Sequence, residues 1–107
     1  MMQKNHEIFN EIVKRIVTVS NPEKIILFGS YACGVPSDDS DIDIIVIKNN
    51  MQSRIGEYRT IRKSLMGLAK SFDIIIVTTE EFDKYSNTYS NSVFAEALKK
   101  GIVLYAI

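Results

Sequence analysis

Three aspartates and a glycine-serine pair are the residues of this sequence whose types and spacing could carry out chemistry. Asp41 and Asp43 stand at alternate positions at the start of a run rich in β-branched residues, Ile42–Ile47. Because side chains alternate along a strand, both carboxylates point to one face, with Cα atoms about 6.6 Å apart. Divalent cations would offset the repulsion between them and use their oxygens as ligands. The alternative is that both are solvated charges at an exposed strand start.

Hydrophobic periodicity predicts the elements that must position these residues. A mixed sheet of about four strands, with helices packed on it, gives the chain an α/β (α+β) class. Asn21-Pro22 ends the first helix, and Thr78 with Glu81 has the pattern of a capping box. The predicted helices cover residues 5–19, 54–69, 79–85 and Val93–Lys100, and the predicted strands cover Lys24–Phe28, Ile42–Ile47, 72–78 and 102–105.

The order of these elements predicts that the acidic residues meet. A helix connects the second strand to the third, and such a crossover usually makes two strands parallel. Asp73 then begins the third strand at the edge where Asp41 and Asp43 begin the second. If the first strand is antiparallel to the second, Gly29-Ser30 arrives at that edge and offers backbone N–H groups to a phosphate. A phosphate cradle beside metal-binding carboxylates is typical of phosphoryl or nucleotidyl transfer.

Composition limits the other functions. The 107 residues suit one domain spanning 1–107, and 13 basic residues balance 13 acidic ones. A neutral chain has no overall field that attracts polyanions, so we expect no direct binding of nucleic acid. The apolar runs are too short to cross a membrane, and no hydrophobic secretory signal is evident. The lone cysteine, Cys33, suits a reducing compartment, so we expect a cytoplasmic protein.

The same residues resemble the nucleotidyltransferase superfamily that includes DNA polymerase beta. The resemblance rests on Gly29-Ser30, on Asp41-Ile42-Asp43 after ten intervening residues, and on Asp73 in a later hydrophobic strand. The small size, the N-terminal helix and the ending Lys100-Gly101-Ile102-Val103-Leu104 are similar to the minimal nucleotidyltransferases. Those proteins are often paired with a HEPN-domain partner in bacterial and archaeal toxin–antitoxin systems. The resemblance covers nearly the whole chain and implies the nucleotidyltransferase fold.

The resemblance implies a role for each of these residues. Gly29 and Ser30 would hold the triphosphate of ATP. The carboxylates would be catalytic and bind Mg²⁺, and the last of them would help to deprotonate the attacking hydroxyl; they are Asp41, Asp43 and Asp73. In the antitoxin branch, the implied reaction is transfer of AMP from ATP to a tyrosine of the HEPN toxin. That modification silences the RNase activity of the toxin, as in a type VII-like antitoxin.

Two other functions stay open on the sequence alone. Family members commonly carry arginine where this chain has Cys33, so the chain could be a weak or inactive antitoxin that neutralises its partner by binding. It could also be a small-molecule nucleotidyltransferase acting on a compound such as an aminoglycoside, although such enzymes usually bring an additional domain. The basic residues Arg54, Arg59, Arg62 and Lys63 are interpreted as a solvated helix face.

Overall fold

The structure is a computed structural model that describes residues 2–34, 36–37, 39–88 and 92–107, with side chains from Glu7 onward. None of its described helices is both long and apolar enough to cross a membrane. The helices and strands follow in chain order as α1 (Met2–Ser20), β1 (Lys24–Phe28), α2 (Ser30–Cys33), β2 (Ile42–Ile47), α3 (Arg54–Ser64), β3 (Phe72–Val77), α4 (Thr79–Thr88), α5 (Val93–Lys100) and β4 (Ile102–Ala106).

The four strands form one mixed sheet in the order β3-β2-β1-β4. β1 runs antiparallel to both β2 and β4, and β2 runs parallel to β3. The predicted four-stranded mixed sheet is therefore confirmed, as are the antiparallel β1–β2 pair and the parallel pair made by the crossover helix. As a result, the end of β1 and the starts of β2 and β3 lie at the same edge of the sheet.

The central strand β2 is buried on both faces. Ile44 and Val46 belong to a core cluster that includes Ile12 of α1 and Ile61 of α3. Ile45 and Ile47 belong to a second cluster, which includes Phe82 of α4 and Ala97 of α5. This double burial explains why the strand is a continuous apolar run. Because side chains alternate along a strand, Asp43 points to the same side of the sheet as Ile45, the side of α4 and α5.

Two predicted helix ends were wrong. α3 ends at Ser64 instead of residue 69, because the following turn contains Gly67 at φ 91° and Ala69 at φ 55°, which no α-helix contains. α4 continues beyond residue 85 to Thr88, and Ser86 Oγ donates to Phe82 O at 2.7 Å within it. The start of α4 confirms the capping box: Thr78 N donates to Glu81 Oε1 at 2.9 Å, and Glu81 N donates to Thr78 Oγ1 at 3.1 Å.

The free edge of β3 is covered by two arginines of α3. Arg62 Nη1 donates to Phe72 O at 3.0 Å, and Arg54 Nη1 donates to Ile76 O at 3.4 Å. Arg54 also pairs with Glu81 of α4 at 2.8 Å. The predicted solvated face is confirmed, because all four of its basic residues are exposed. Two of them, Arg54 and Arg62, also donate to backbone carbonyls that face away from β2.

Gly101 ends α5 for a steric reason. A glycine that follows a helix often has the left-handed conformation, but Gly101 has φ −70° and ψ 158°, which any residue can adopt. A Cβ atom there would lie 2.3 Å from the carbonyl oxygen of Ala97 and 2.8 Å from Cγ2 of Ile26. The glycine therefore lets the end of α5 lie directly against β1.

Replacing Gly101 by alanine is expected to lower the free energy of unfolding by about 2 kcal/mol, since overpacking at a closed contact typically costs 1–3 kcal/mol. Urea unfolding followed by circular dichroism measures the change. Gly56→Ala is the matched control, because a Cβ at this exposed position in α3 would come no closer than 3.4 Å to any side chain of the described residues beyond its chain neighbours. This control should raise stability through helix propensity. Equal stability of Gly101→Ala and the unchanged protein would contradict the steric explanation.

Candidate active site

The end of β1 turns into a one-turn helix at Gly29. This residue has φ 74° and ψ −153°, a region of backbone conformation that is essentially restricted to glycine. Its carbonyl oxygen accepts hydrogen bonds from Ala32 N at 3.1 Å and Cys33 N at 3.0 Å. Gly34, in the left-handed conformation, donates its N–H to Ser30 O and ends the helix. Two glycines thus fix the position of Ser30 at the edge of the sheet.

Asp43 lies directly against this turn. It pairs with Phe28, the last residue of β1, in the antiparallel ladder. A Cβ atom on Gly29 would lie 2.1 Å from Asp43 Oδ2 and 3.0 Å from its Cγ. Only glycine leaves room for the carboxylate at this distance. The structure therefore brings the predicted glycine-serine turn and one predicted carboxylate into direct contact.

Asp73 is the cross-strand neighbour of Asp43. The two residues are in register in the parallel β2–β3 pair, so their Cα atoms are separated by one inter-strand spacing of about 4.8 Å. Asp41 precedes β2 on the same face as Asp43, and both Asp41 and Asp73 are exposed. The described residues contain no group of three His, Cys, Asp or Glu side chains arranged to hold a metal ion. The three aspartates thus share one edge and one face, without their oxygens converging on a single point.

The pKa of Asp43 is raised above its ordinary value. Burial is the largest cause, and the negative charges of Asp73, Asp41 and Glu96 add to it in that order. Ionised Asp43 is therefore surrounded by like charge and lacks compensation from the described residues. Such a position favours a proton or a metal cation. The electrostatics agree with the chemistry expected of the sequence pattern.

Sequence reasoning missed Glu96, which comes from the first turn of α5. No spacing in the sequence signals its approach to Asp43, because that approach depends on how α5 packs across the sheet. Also missed was a contact between Lys70 and the short helix α2. Lys70 Nζ donates to Tyr31 OH at 3.1 Å, and the Tyr31 ring packs edge-on against Phe9 at a centroid distance of 6.0 Å. The hydrogen bond connects α2 to the segment that leads into β3, and the ring contact connects α2 to α1.

A polar cleft opens beside the carboxylates, between the segments that lead into β2 and β3. Its volume is about 400 Å³, and its lining residues are Asp39, Ser40, Ala69, Lys70 and Ser71. One segment ends at Asp41, directly before β2, and the other ends at Ser71, directly before β3. Space is therefore available next to the aspartates for a ligand larger than an ion.

The fold and this edge define a nucleotidyltransferase domain. The family model for polymerase beta nucleotidyltransferases matches residues 10–107. The chain therefore belongs to the polymerase beta nucleotidyltransferase family, as its sequence motifs indicate.

Three comparisons show what the chain is similar to. A curated protein of Methanocaldococcus jannaschii, described as a "putative protein adenylyltransferase", is 33% identical over 72 residues, which are 65% of this chain and 72% of that protein. A crystal structure of a toxin–antitoxin with AMP-PNP has a TM-score of 0.68 at 23% identity, covering 92% of this chain and 73% of its own. The tri-AMPylated HEPN toxin of Shewanella oneidensis in complex with MNT antitoxin gives 0.55 at 20% identity, covering 100% and 74%. The solved structures confirm the predicted nucleotidyltransferase fold.

Proposed function

We propose that the chain transfers AMP from ATP to a tyrosine hydroxyl of a HEPN-domain toxin and thereby acts as an antitoxin. The observation that carries the proposal is the position of Asp43, which touches the Gly29 turn and stands in register with Asp73. The comparisons support it, because one relative is described as a protein adenylyltransferase, and similar structures contain AMP-PNP or an AMPylated HEPN toxin. The lone cysteine, Cys33, agrees with a site of action in the cytoplasm.

Each residue of the site has its own role in this reaction. The backbone N–H groups at Gly29 and Ser30, with the Ser30 hydroxyl, bind the triphosphate. The tyrosine oxygen forms a bond to the α-phosphorus, the bond from that phosphorus to the β-phosphate oxygen breaks, and pyrophosphate leaves. Asp73 takes the hydroxyl proton. Its exposure on the edge strand keeps it accessible to an acceptor that a second protein presents.

The three aspartates suit Mg²⁺, and we propose that they hold it. Carboxylate oxygens are the ligands that this hard cation prefers. No hydrogen bond or ion pair within the described part of the chain fixes the side chains of Asp41 and Asp73, so both can rotate toward Asp43. The raised pKa of Asp43 marks a position where positive charge is missing. When bound, Mg²⁺ neutralises negative charge on the phosphate oxygens.

The proposal is tested by incubating the chain with a HEPN-domain protein of the same genome and ATP labelled at the α-phosphorus. We expect label on a tyrosine of the HEPN protein, located by peptide mass spectrometry, and loss of its RNase activity. The matched control is Asp41→Asn, which removes one carboxylate on an exposed residue, so that label and silencing should both be lost. Equal silencing by both proteins without label would favour neutralisation by binding, and label on added small molecules alone would favour a small-molecule transferase.

A further inference from the structure

The end of α5 lies at the same sheet edge as the glycine-serine turn. Ile102 begins β4 and pairs with Leu27 of β1. Lys100 stands two residues before Ile102, and Gly29 stands two residues after Leu27. Since β1 and β4 are neighbouring antiparallel strands about 4.8 Å apart, these two positions leave the sheet side by side.

The packing of α5 places its last turn at the active-site edge. Ala97 is buried against the sheet, and Gly101 approaches Ile26 so closely that a Cβ would meet it at 2.8 Å. Gly101 leads directly into β4, whose first residue pairs with β1 next to the glycine-serine turn. Lys100, the last residue of α5, therefore stands at this edge of the sheet.

The site is short of positive charge for a polyanionic substrate. Three carboxylates share this edge, and the exposed Cys33, which follows Ser30 by three residues on α2, offers no cationic group. The nearby Lys70 ammonium already donates to Tyr31 OH. Within the described residues, by contrast, no hydrogen bond or ion pair engages the exposed side chain of Lys100. Its ammonium group is available for a ligand.

We propose that Lys100 binds the triphosphate of the nucleotide, which it approaches from the side of β4 while Gly29 and Ser30 bind it from β1. This assignment rests on the proposed nucleotidyl transfer and adds to it the cation that contacts the phosphates. A lysine is a point-charge donor well suited to phosphate oxygens.

The test is titration calorimetry of the full chain with AMP-PNP and Mg²⁺. Lys100→Ala is expected to raise the Kd about tenfold, as for loss of one charge-assisted hydrogen bond. Lys99→Ala is the matched control, because it removes the same charge from the same helix end on a side chain rotated by about 100°. Its Kd should stay within about twofold of the unchanged protein. Lys100→Arg should restore most of the affinity, and adding Cys33→Arg to Lys100→Ala should restore part of it.

Each outcome decides between the two proposals. If the unchanged chain binds AMP-PNP and Lys100→Ala binds equally well, the Lys100 assignment is wrong and the nucleotidyl transfer proposal stands. If Lys99→Ala weakens binding as much as Lys100→Ala, overall charge is the cause and the assignment is again wrong. If the unchanged chain binds no AMP-PNP with Mg²⁺, both proposals fail. Thermal unfolding at equal melting temperature for both alanine variants shows that the comparison reports binding and not folding.

Discussion

Replacing Asp43 by asparagine is expected to slow AMP transfer strongly and, in the absence of divalent cations, to stabilise the folded chain. We expect transfer to fall by about 100- to 1,000-fold, the typical cost of losing one preorganised electrostatic group at a transition state. Stability should increase because burial and three neighbouring negative charges raise the pKa of Asp43 in the folded state. At neutral pH, the ionised carboxylate therefore opposes folding, and the neutral amide does not.

The direction of the pKa shift of Asp43 determines how the stability of the chain changes with pH. A carboxyl group whose pKa is raised by folding binds more protons folded than unfolded, so its contribution to stability falls as pH rises from its ordinary pKa through the raised one. Urea unfolding between pH 3 and pH 8, with a chelator present, should show this decrease in the unchanged chain and a smaller one in Asp43→Asn. Asp83→Asn on α4 is the control, because it replaces an exposed carboxylate outside the site and should leave AMP transfer unchanged. An Asp43→Asn variant less stable than the unchanged chain at neutral pH would contradict the electrostatic account.

Replacing Gly29 by alanine is expected to destroy activity through two physical effects. The new Cβ would lie 2.1 Å from Asp43 Oδ2, so the carboxylate must move, and the backbone at φ 74° and ψ −153° disfavours any side chain. We expect transfer to fall by about 100-fold or more, because small displacements of catalytic groups cost this much. Unfolding free energy should fall by about 2–3 kcal/mol from backbone strain. Steady-state transfer rates and urea unfolding measure the two effects.

Gly34→Ala separates contact from strain. Gly34 also has a positive φ, at 82°, but apart from its neighbours along the chain no atom of the described residues lies within 4 Å of the position where its Cβ would be. Alanine in this left-handed conformation costs about 1–2 kcal/mol. We therefore expect Gly34→Ala to lose stability but to keep AMP transfer within a few-fold at a temperature where it is folded. Equal losses of transfer in both variants would show that the turn matters only for folding.

The shared edge of the active site was predictable because it depends on connection rules. A helix between β2 and β3 makes parallel strands the default, and this alone places Asp43 and Asp73 at one edge. The connection from Gly29 to Asp43 allows β1 to pair antiparallel with β2, so that Gly29 lies at the same edge. The direct contact between Gly29 and the carboxylate of Asp43 was not predictable, because it depends on the exact register and on the backbone angles of the turn.

Other features depend on packing that no local pattern contains. The apolar spacing of Leu65 and Leu68 continues the period of α3, yet both residues belong to the turn after the helix, where Gly67 is the local signal that was overlooked. Glu96 gains its relation to the site only from the angle at which α5 crosses the sheet. The end of α5 shows the same limit, because Gly101 is required by the neighbouring Ile26 and not by its own φ.

The hydrogen bonds that two arginines donate to β3 make the two edges of the sheet different. An incoming strand must displace Arg54 and Arg62 before it can pair with β3, whereas no side chain in the described residues donates a hydrogen bond to a carbonyl of β4. Charged side chains at a sheet edge oppose aggregation through strand pairing. If only the β4 edge of the sheet can accept a strand, two copies can pair through their β4 edges. Neither copy then has a free edge left for a third. Self-association through the backbone would therefore stop at a closed pair.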